Sequence, residues 1–158
     1  MKAACAHDGD TAGLRPGALS AALTQAEARC SAAEERLTGP RRRVLELLLA
    51  SGAPVKAYDL IAAYGADGQA AKPPTVYRAL EFLERLGFAH KLESLNAYVA
   101  CRRTGDRHAA AFLICDCCGA TEEFEPATAQ AVEQAGARRG YEVRTLTVEA
   151  RGLCPACQ

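Results

Sequence analysis

The stretch Pro73-Pro74-Thr75-Val76-Tyr77-Arg78-Ala79-Leu80-Glu81-Phe82-Leu83-Glu84-Arg85-Leu86-Gly87, continued by FAHKLESLNAYVAC over residues 88–101, decides the fold. Two consecutive prolines block a helix running in from upstream, so a new helix is expected from about Thr75 to Leu86. Gly87 supplies its stop. On a helical wheel Val76, Leu80 and Leu83 stack on one face, flanked by Ala79 and Leu86, while Arg78 and Arg85 lie opposite. Residues 88–92 and 97–101 then read as two short strands joined by Glu93-Ser94-Leu95-Asn96, a hairpin. Short helices ending in such a helix and hairpin make a winged helix-turn-helix.

Upstream, residues 18–37 are rich in Ala, Glu, Gln and Leu and read as helix. Gly39-Pro40 interrupts them, with Pro40 placed to open the next helix and Thr38 to cap it, ending at Ser51-Gly52. A short helix over residues 57–64 ends in the turn cluster Gly65-Ala66-Asp67-Gly68. Residues 1–16 read as a loose, disordered tail, and Cys5 and His7 within it as a disordered pair rather than a metal site. Downstream, residues 102–108 are a polar hinge. A second module over residues 109–158 opens on an apolar strand, 109–115. A helix over 126–139 follows, stopped by Gly140, and then a strand over 141–149 whose alternation slips at Thr145-Leu146. The expected fold class is α/β in the broad sense (α+β): a winged-helix DNA-binding domain over 17–101, the hinge, and a C-terminal α/β dimerisation and metal-binding domain.

Composition narrows the function classes. The chain has 158 residues, with 19 Lys+Arg balancing 19 Asp+Glu. Residues 36–91 hold nine Lys+Arg and five Asp+Glu, so a basic module of net +4 adjoins an acidic remainder. No apolar run approaches the roughly 18–20 residues that cross a bilayer, and residues 1–16 lack the layout of a secretion signal. The chain is therefore expected in the cytoplasm, where thiols stay reduced and its 8 cysteines are metal ligands rather than disulfides. No nucleophile–base pair or phosphate loop marks an enzyme.

Cys115-x-x-Cys118 and Cys154-x-x-Cys157 carry the strongest chemical signal. Two such pairs let four thiolates meet one tetrahedral ion, and Gly119 and Pro155 suit the turns that hold them. A closed structural Zn²⁺ site outweighs buried or free thiols. A thioredoxin-like pair needs one CxxC at a helix start in a βαβ context, which is absent. Cys117 is left out, because adjacent cysteines rarely serve one ion. Cys30 reads as packing. A sparser set is His90, Cys101, His108 and Glu123, one sulfur, two nitrogens and one oxygen gathered around the hinge. Spacing alone leaves this set open between a zinc site and ordinary polar residues, and its position favours the metal.

The run Ala71-Lys72-Pro73-Pro74-Thr75-Val76-Tyr77-Arg78-Ala79-Leu80, with Leu83, Gly87 and His90-Lys91-Leu92-Glu93-Ser94, resembles the recognition region of ferric uptake regulator family repressors. Ala57-Tyr58-Asp59-Leu60, Phe112-Leu113-Ile114-Cys115 and Gly152-Leu153-Cys154 agree, and the resemblance spans roughly residues 20–157. It implies a homodimer in which the C-terminal domain carries two winged helices. It also implies two Zn²⁺ per chain: a structural one at Cys115, Cys118, Cys154 and Cys157, and a regulatory one at His90, Cys101, His108 and Glu123. The iron-sensing branch typically has a His-rich run before the dimerisation strand. Here residues 102–108 hold one His, and Cys101 adds a soft ligand, which selects the zinc-sensing branch. Two departures stand out: Gly39-Pro40-Arg41 alters the usual helix entry, and the mobile 65–68 cluster puts contacts between neighbouring dimers in doubt.

The implied function is a zinc-responsive repressor that binds double-stranded operator DNA and silences zinc-uptake genes when zinc is plentiful, with no membrane partner and no small-molecule substrate. Arg78 is the base-contact residue. Tyr58, Tyr77 and Thr75 are further DNA contacts, and Arg41, Arg42, Arg43 and Lys72 are phosphate candidates. Zinc joining the wing to the dimerisation domain narrows the orientation of the recognition helices, so zinc and DNA favour the same state. The rivals are an iron, manganese or peroxide sensor on the same fold, a zinc-ribbon interaction module, and a thiol oxidoreductase.

Overall fold

A computed structural model describes residues 13–65, 69–101 and 109–158. The described residues divide between two compact units, 13–101 and 109–158.

In the first unit, Pro16 opens helix α1 (Pro16–Ala32), whose stripe of Leu23, Ala26 and Cys30 is buried. The helix stops well before the expected Leu37: the chain turns at Ala33 and Glu34, with Glu34 in the left-handed region at φ 55°. The backbone is tied down from Leu14, whose N–H donates to the Leu49 carbonyl at 2.9 Å; of the tail read over 1–16, residues 1–12 lie outside the described residues. Helix α2 (Gly39–Ser51) buries Val44, Leu45 and Leu48 and ends on left-handed Gly52. Pro40 sits in its first turn and Thr38 is the flanking residue, yet the Thr38 hydroxyl makes no capping bond. Helix α3 (Ala57–Ala63) buries Leu60.

Helix α4 (Pro73–Arg85) starts on the prolines themselves rather than after them. The first helical positions have no intrahelical use for an N–H, so proline fits there. Val76, Ala79, Leu80, Phe82 and Leu83 are buried, and with α2 and α3 they form one apolar cluster. Strands β1 (Ala89–Leu92) and β2 (Ala97–Ala100) pair antiparallel with His90 opposite Val99 and Lys91 opposite Tyr98. Val55, between α2 and α3, adds an isolated bridge: it exchanges both backbone bonds with Tyr98 at 2.8 Å.

The second unit is a three-stranded sheet in the order β4-β3-β5. Its centre is β3 (Ala110–Cys115), buried at five of six positions. Strand β4 (Thr121–Phe124), which the sequence does not announce, pairs antiparallel with β3. Helix α5 (Ala129–Ala137) follows, shorter at both ends than the expected 126–139. Strand β5 (Thr147–Gly152) then lies parallel to β3. The strand expected over 141–149 is thus displaced: residues 141–146 are outside it, and pairing runs on to Gly152.

Leu80→Ala, removing a side chain only 1% exposed, is expected to destabilise the first unit by about 2–5 kcal/mol in denaturant titration. Glu81→Ala, one residue on but exposed, is expected to stay within about 0.5 kcal/mol of the parent.

Candidate metal centre and nucleic-acid interface

The parallel register of β3 and β5 places Cys115 opposite Gly152. Beyond the strand ends the pairing continues, with Asp116 N–H donating to the Gly152 carbonyl at 2.8 Å. Each CxxC then folds into a tight turn, closed by Gly119 N–H on Cys115 O at 2.9 Å and by Cys157 N–H on Cys154 O at 2.8 Å. Gly119 sits at φ 76°, where a side chain is strained. The result brings the Sγ atoms of Cys115, Cys118, Cys154 and Cys157 within 4.8 Å of one another, with Cys118 and Cys154 3.8 Å apart. A tetrahedron with Zn–S bonds of about 2.3 Å has edges of about 3.8 Å, so the cluster fits that ion.

The electrostatics suit the same ligand. Cys154 N–H donates to Cys115 Sγ at 3.3 Å. Backbone N–H groups, Cys118's first and then Cys154's, lower the Cys115 thiol to about 6, which favours the ligating thiolate. One brace was missed in the sequence: Arg151 on β5 holds Asp116 Oδ1 through Nη2 at 2.6 Å and Nε at 2.8 Å, joining the two arms of the site. An Asp inside the first CxxC was the available signal. Cys117 is exposed and outside the cluster. Cys30 is core, and burial pushes its thiol up, away from reactivity.

The wing assembles part of the second set. His90 lies on β1, and Cys101 follows β2, its N–H donating to the Phe88 carbonyl at 2.9 Å. This pairing brings a ring nitrogen of His90 and the Cys101 thiol within 4.8 Å. Glu123 stands on β4 of the second unit, in register opposite Phe112. His108 lies outside the described residues.

On the recognition side, Arg78 and Tyr77 project from α4 away from its buried stripe, Tyr77 being 48% exposed. Tyr58 on α3 is 78% exposed, too open for a packing role. Thr75 is half-buried and Lys72 exposed beside them. The arginine run on α2 makes contacts within the chain. Successive helical residues point about 100° apart, and each guanidinium finds a separate neighbour. Arg41 stacks 3.5 Å over the Phe82 ring and donates to Arg36 O at 2.6 Å. Arg42 pairs with Glu27 of α1. Arg43 donates to the terminal carbonyls of α3, Tyr64 O at 2.8 Å and Ala63 O at 3.2 Å, and pairs with Glu46. These three hold helices together.

The model of the ferric uptake regulator family matches residues 32–151. The zinc uptake regulation protein of Escherichia coli K12 is 42% identical over 137 residues, covering 85% of this chain and 80% of that protein. A solved zinc uptake regulator complexed with zinc and DNA is 40% identical, with a TM-score of 0.78 over 88% of this chain and 94% of that one. Holo XcZur is 42% identical, with a TM-score of 0.75 over 85% of this chain and 95% of its own. With the winged helix and the thiol cluster in the places described, the chain belongs to the ferric uptake regulator family.

Proposed function

We propose that this chain is a zinc-responsive transcriptional repressor that binds operator DNA as a zinc-loaded homodimer and silences zinc-uptake genes when zinc is plentiful. The observation that carries the reading is its likeness, along nearly the whole chain, to zinc uptake regulators, one of them solved with both zinc and DNA. Cys115, Cys118, Cys154 and Cys157 hold a structural zinc in this reading. His90, Cys101, His108 and Glu123 hold the regulatory one, making two per chain. A bound Zn²⁺ supplies a tetrahedral cross-link among thiolate, imidazole and carboxylate donors.

The remaining roles belong to side chains. Arg78 reads base edges from the first half of α4, the end of a recognition helix that enters the major groove. Tyr58, Tyr77, Thr75 and Lys72 position the helix against backbone and thymine methyl groups. Arg41, stacked on Phe82, joins them as a phosphate contact. The dimer forms through the second unit, where α5 buries no side chain within the chain. Leu113, Val132, Tyr141, Val148 and Leu153 stand exposed there, and β5 has an open edge. Such apolar surface needs a cover. No helix among the described residues is long and apolar enough to cross a membrane.

Three outcomes are expected. Cys118→Ser or Cys157→Ser removes folding energy on the order of 10 kcal/mol in apparent terms, so either variant should be unfolded or monomeric by light scattering at every zinc level; a folded dimer with undiminished DNA binding contradicts this. Arg78→Ala should lose specific binding by about 1–3 kcal/mol per half-site while keeping dimerisation and zinc content. If only the salt-dependent, non-specific component falls in gel shifts, Arg78 is a phosphate contact. Cys101→Ser should remain a folded dimer, bind one zinc fewer by elemental analysis, and show DNA affinity near the wild-type zinc-free level whatever the zinc concentration. His108→Ala should match it, and Glu123→Ala should be milder because water can fill an oxygen position. Full zinc-dependent binding by Cys101→Ser sinks the regulatory assignment.

A further inference from the structure

The two arms of the thiol cluster are held unequally. The first turn, residues 115–118, leaves the central strand β3, and its backbone is tied back by Cys115 N–H on Ala120 O and Gly119 N–H on Cys115 O, both at 2.9 Å. The second turn, residues 154–157, follows β5, which is an edge strand within the chain and has five of its six residues exposed. Between the arms the backbone supplies Asp116 N–H on Gly152 O at 2.8 Å and Cys154 N–H on Cys115 Sγ at 3.3 Å. A side-chain tie crosses the same gap: Arg151 donates to Asp116 Oδ1 through Nη2 at 2.6 Å and Nε at 2.8 Å. Asp116 directly follows Cys115, and Arg151 lies near the end of β5, opposite Ile114, so the tie sits where the second arm begins. Its charge also suits the place. Four thiolates outweigh one Zn²⁺ by two negative charges, the Asp116 carboxylate adds a third, and the guanidinium offsets part of that excess.

We infer that Arg151 is a positioning residue of the four-thiolate site: bound to Asp116, it keeps the second CxxC closed on the first and so sets how slowly the metal is surrendered. The inference rests on the proposed structural zinc and adds to it the motion that opens the site. A closed tetrahedral site gives up its ion only after ligands detach. Cys154 and Cys157 detach together when the end of β5 parts from β3, and within the chain that end is held from one side alone. The Arg151–Asp116 contact must break before it parts. Both partners are about half-exposed, so water screens the pair and its effect is modest. Two N–H groups converging on one oxygen give the contact a fixed direction, and outer contacts of this kind orient the ligands behind them.

The test uses the full-length protein loaded with Co²⁺ in place of zinc and kept free of oxygen, because thiolate-to-cobalt charge-transfer absorption reports the four-thiolate site directly. The quantity read is the rate at which that absorption decays in excess EDTA, at concentrations where the rate no longer depends on EDTA. Arg151→Leu keeps the bulk along β5 but cannot donate, and its decay is expected to be about tenfold faster than that of the wild type, the low end of what losing an outer contact costs a metal site. Arg151→Lys, with one ammonium in place of the fork, should fall between the two. Asp116→Ala should match Arg151→Leu, and the double variant should decay no faster than either single one, because the two side chains act through one contact. An Arg151→Leu rate equal to wild type overturns the inference, and so do effects of the two substitutions that simply multiply. A wild-type protein that takes up Co²⁺ with no thiolate charge-transfer band overturns the structural-zinc reading itself, and this inference with it.

Discussion

Helix α4 must bury one face and keep another open to a ligand, and most of the first unit is arranged to satisfy both demands. Val76, Leu80 and Leu83 are at most 1% exposed, so the helix cannot rotate without moving three large side chains into water. The polar ties act around that axis. Arg41 lies on the Phe82 ring from α2, and Arg85 approaches the same ring while pairing with Glu35 at 2.7 Å. At the helix end Arg29 of α1 donates to Leu86 O at 3.1 Å and stacks over Phe88. Helix α1 therefore serves as more than cover for the core: it satisfies a terminal carbonyl of α4, one that the helix cannot bond internally. Arg78 and Tyr77 are left on a surface whose direction is already determined.

What was legible in the chain followed its punctuation. Pro40 and Gly52 bound α2, and Pro73 and Gly87 bound α4, because these residues act through their own backbone, its φ and in proline the missing N–H, and need no tertiary partner. The four-thiol cluster was legible for a similar reason, since a CxxC turn is local and only the meeting of the two turns needs the fold. The end of α1 was illegible: Ala33-Glu34-Glu35 carries no breaker, and the helix stops where Glu34 adopts a positive φ that its sequence does not favour. Strand β4 was illegible because Thr121-Glu122-Glu123-Phe124 has little strand propensity, and it is a strand by virtue of its ladder with β3.

The displacement of β5 has the same origin, in a long-range requirement. Tyr141-Glu142-Val143 offers better strand residues than Glu149-Ala150-Arg151-Gly152, yet pairing selects the latter. The register that sets Cys115 opposite Gly152 also brings Cys154 to the first turn, where its N–H reaches Cys115 Sγ. Among side chains the arginines at 41–43 have a use inside the chain that the sequence does not announce. A basic run beside a recognition helix reads as phosphate contact, and the structure adds that three successive directions on α2 each meet a partner, Phe82, Glu27 and the end of α3.

That internal use of charge bears on how the proposed repressor discriminates. Non-specific DNA affinity grows with the number of phosphates neutralised and falls steeply with salt. Here residues 36–91 net +4 within a chain of zero net charge, while Arg42, Arg43 and Arg85 are each paired with a carboxylate and Arg41 is stacked on an aromatic ring. Among the described residues, Lys72 and Arg78 stand exposed at α4 as the cations placed to meet a duplex. On the proposed reading, affinity must then come from positioned contacts made by two copies together, and two half-sites reinforce each other only when the geometry lets both engage. A protein with a large basic surface would bind DNA whether or not its domains were correctly set. On the proposed reading, binding through a few positioned contacts depends on how the two copies are set, and setting them is what a regulatory zinc would contribute.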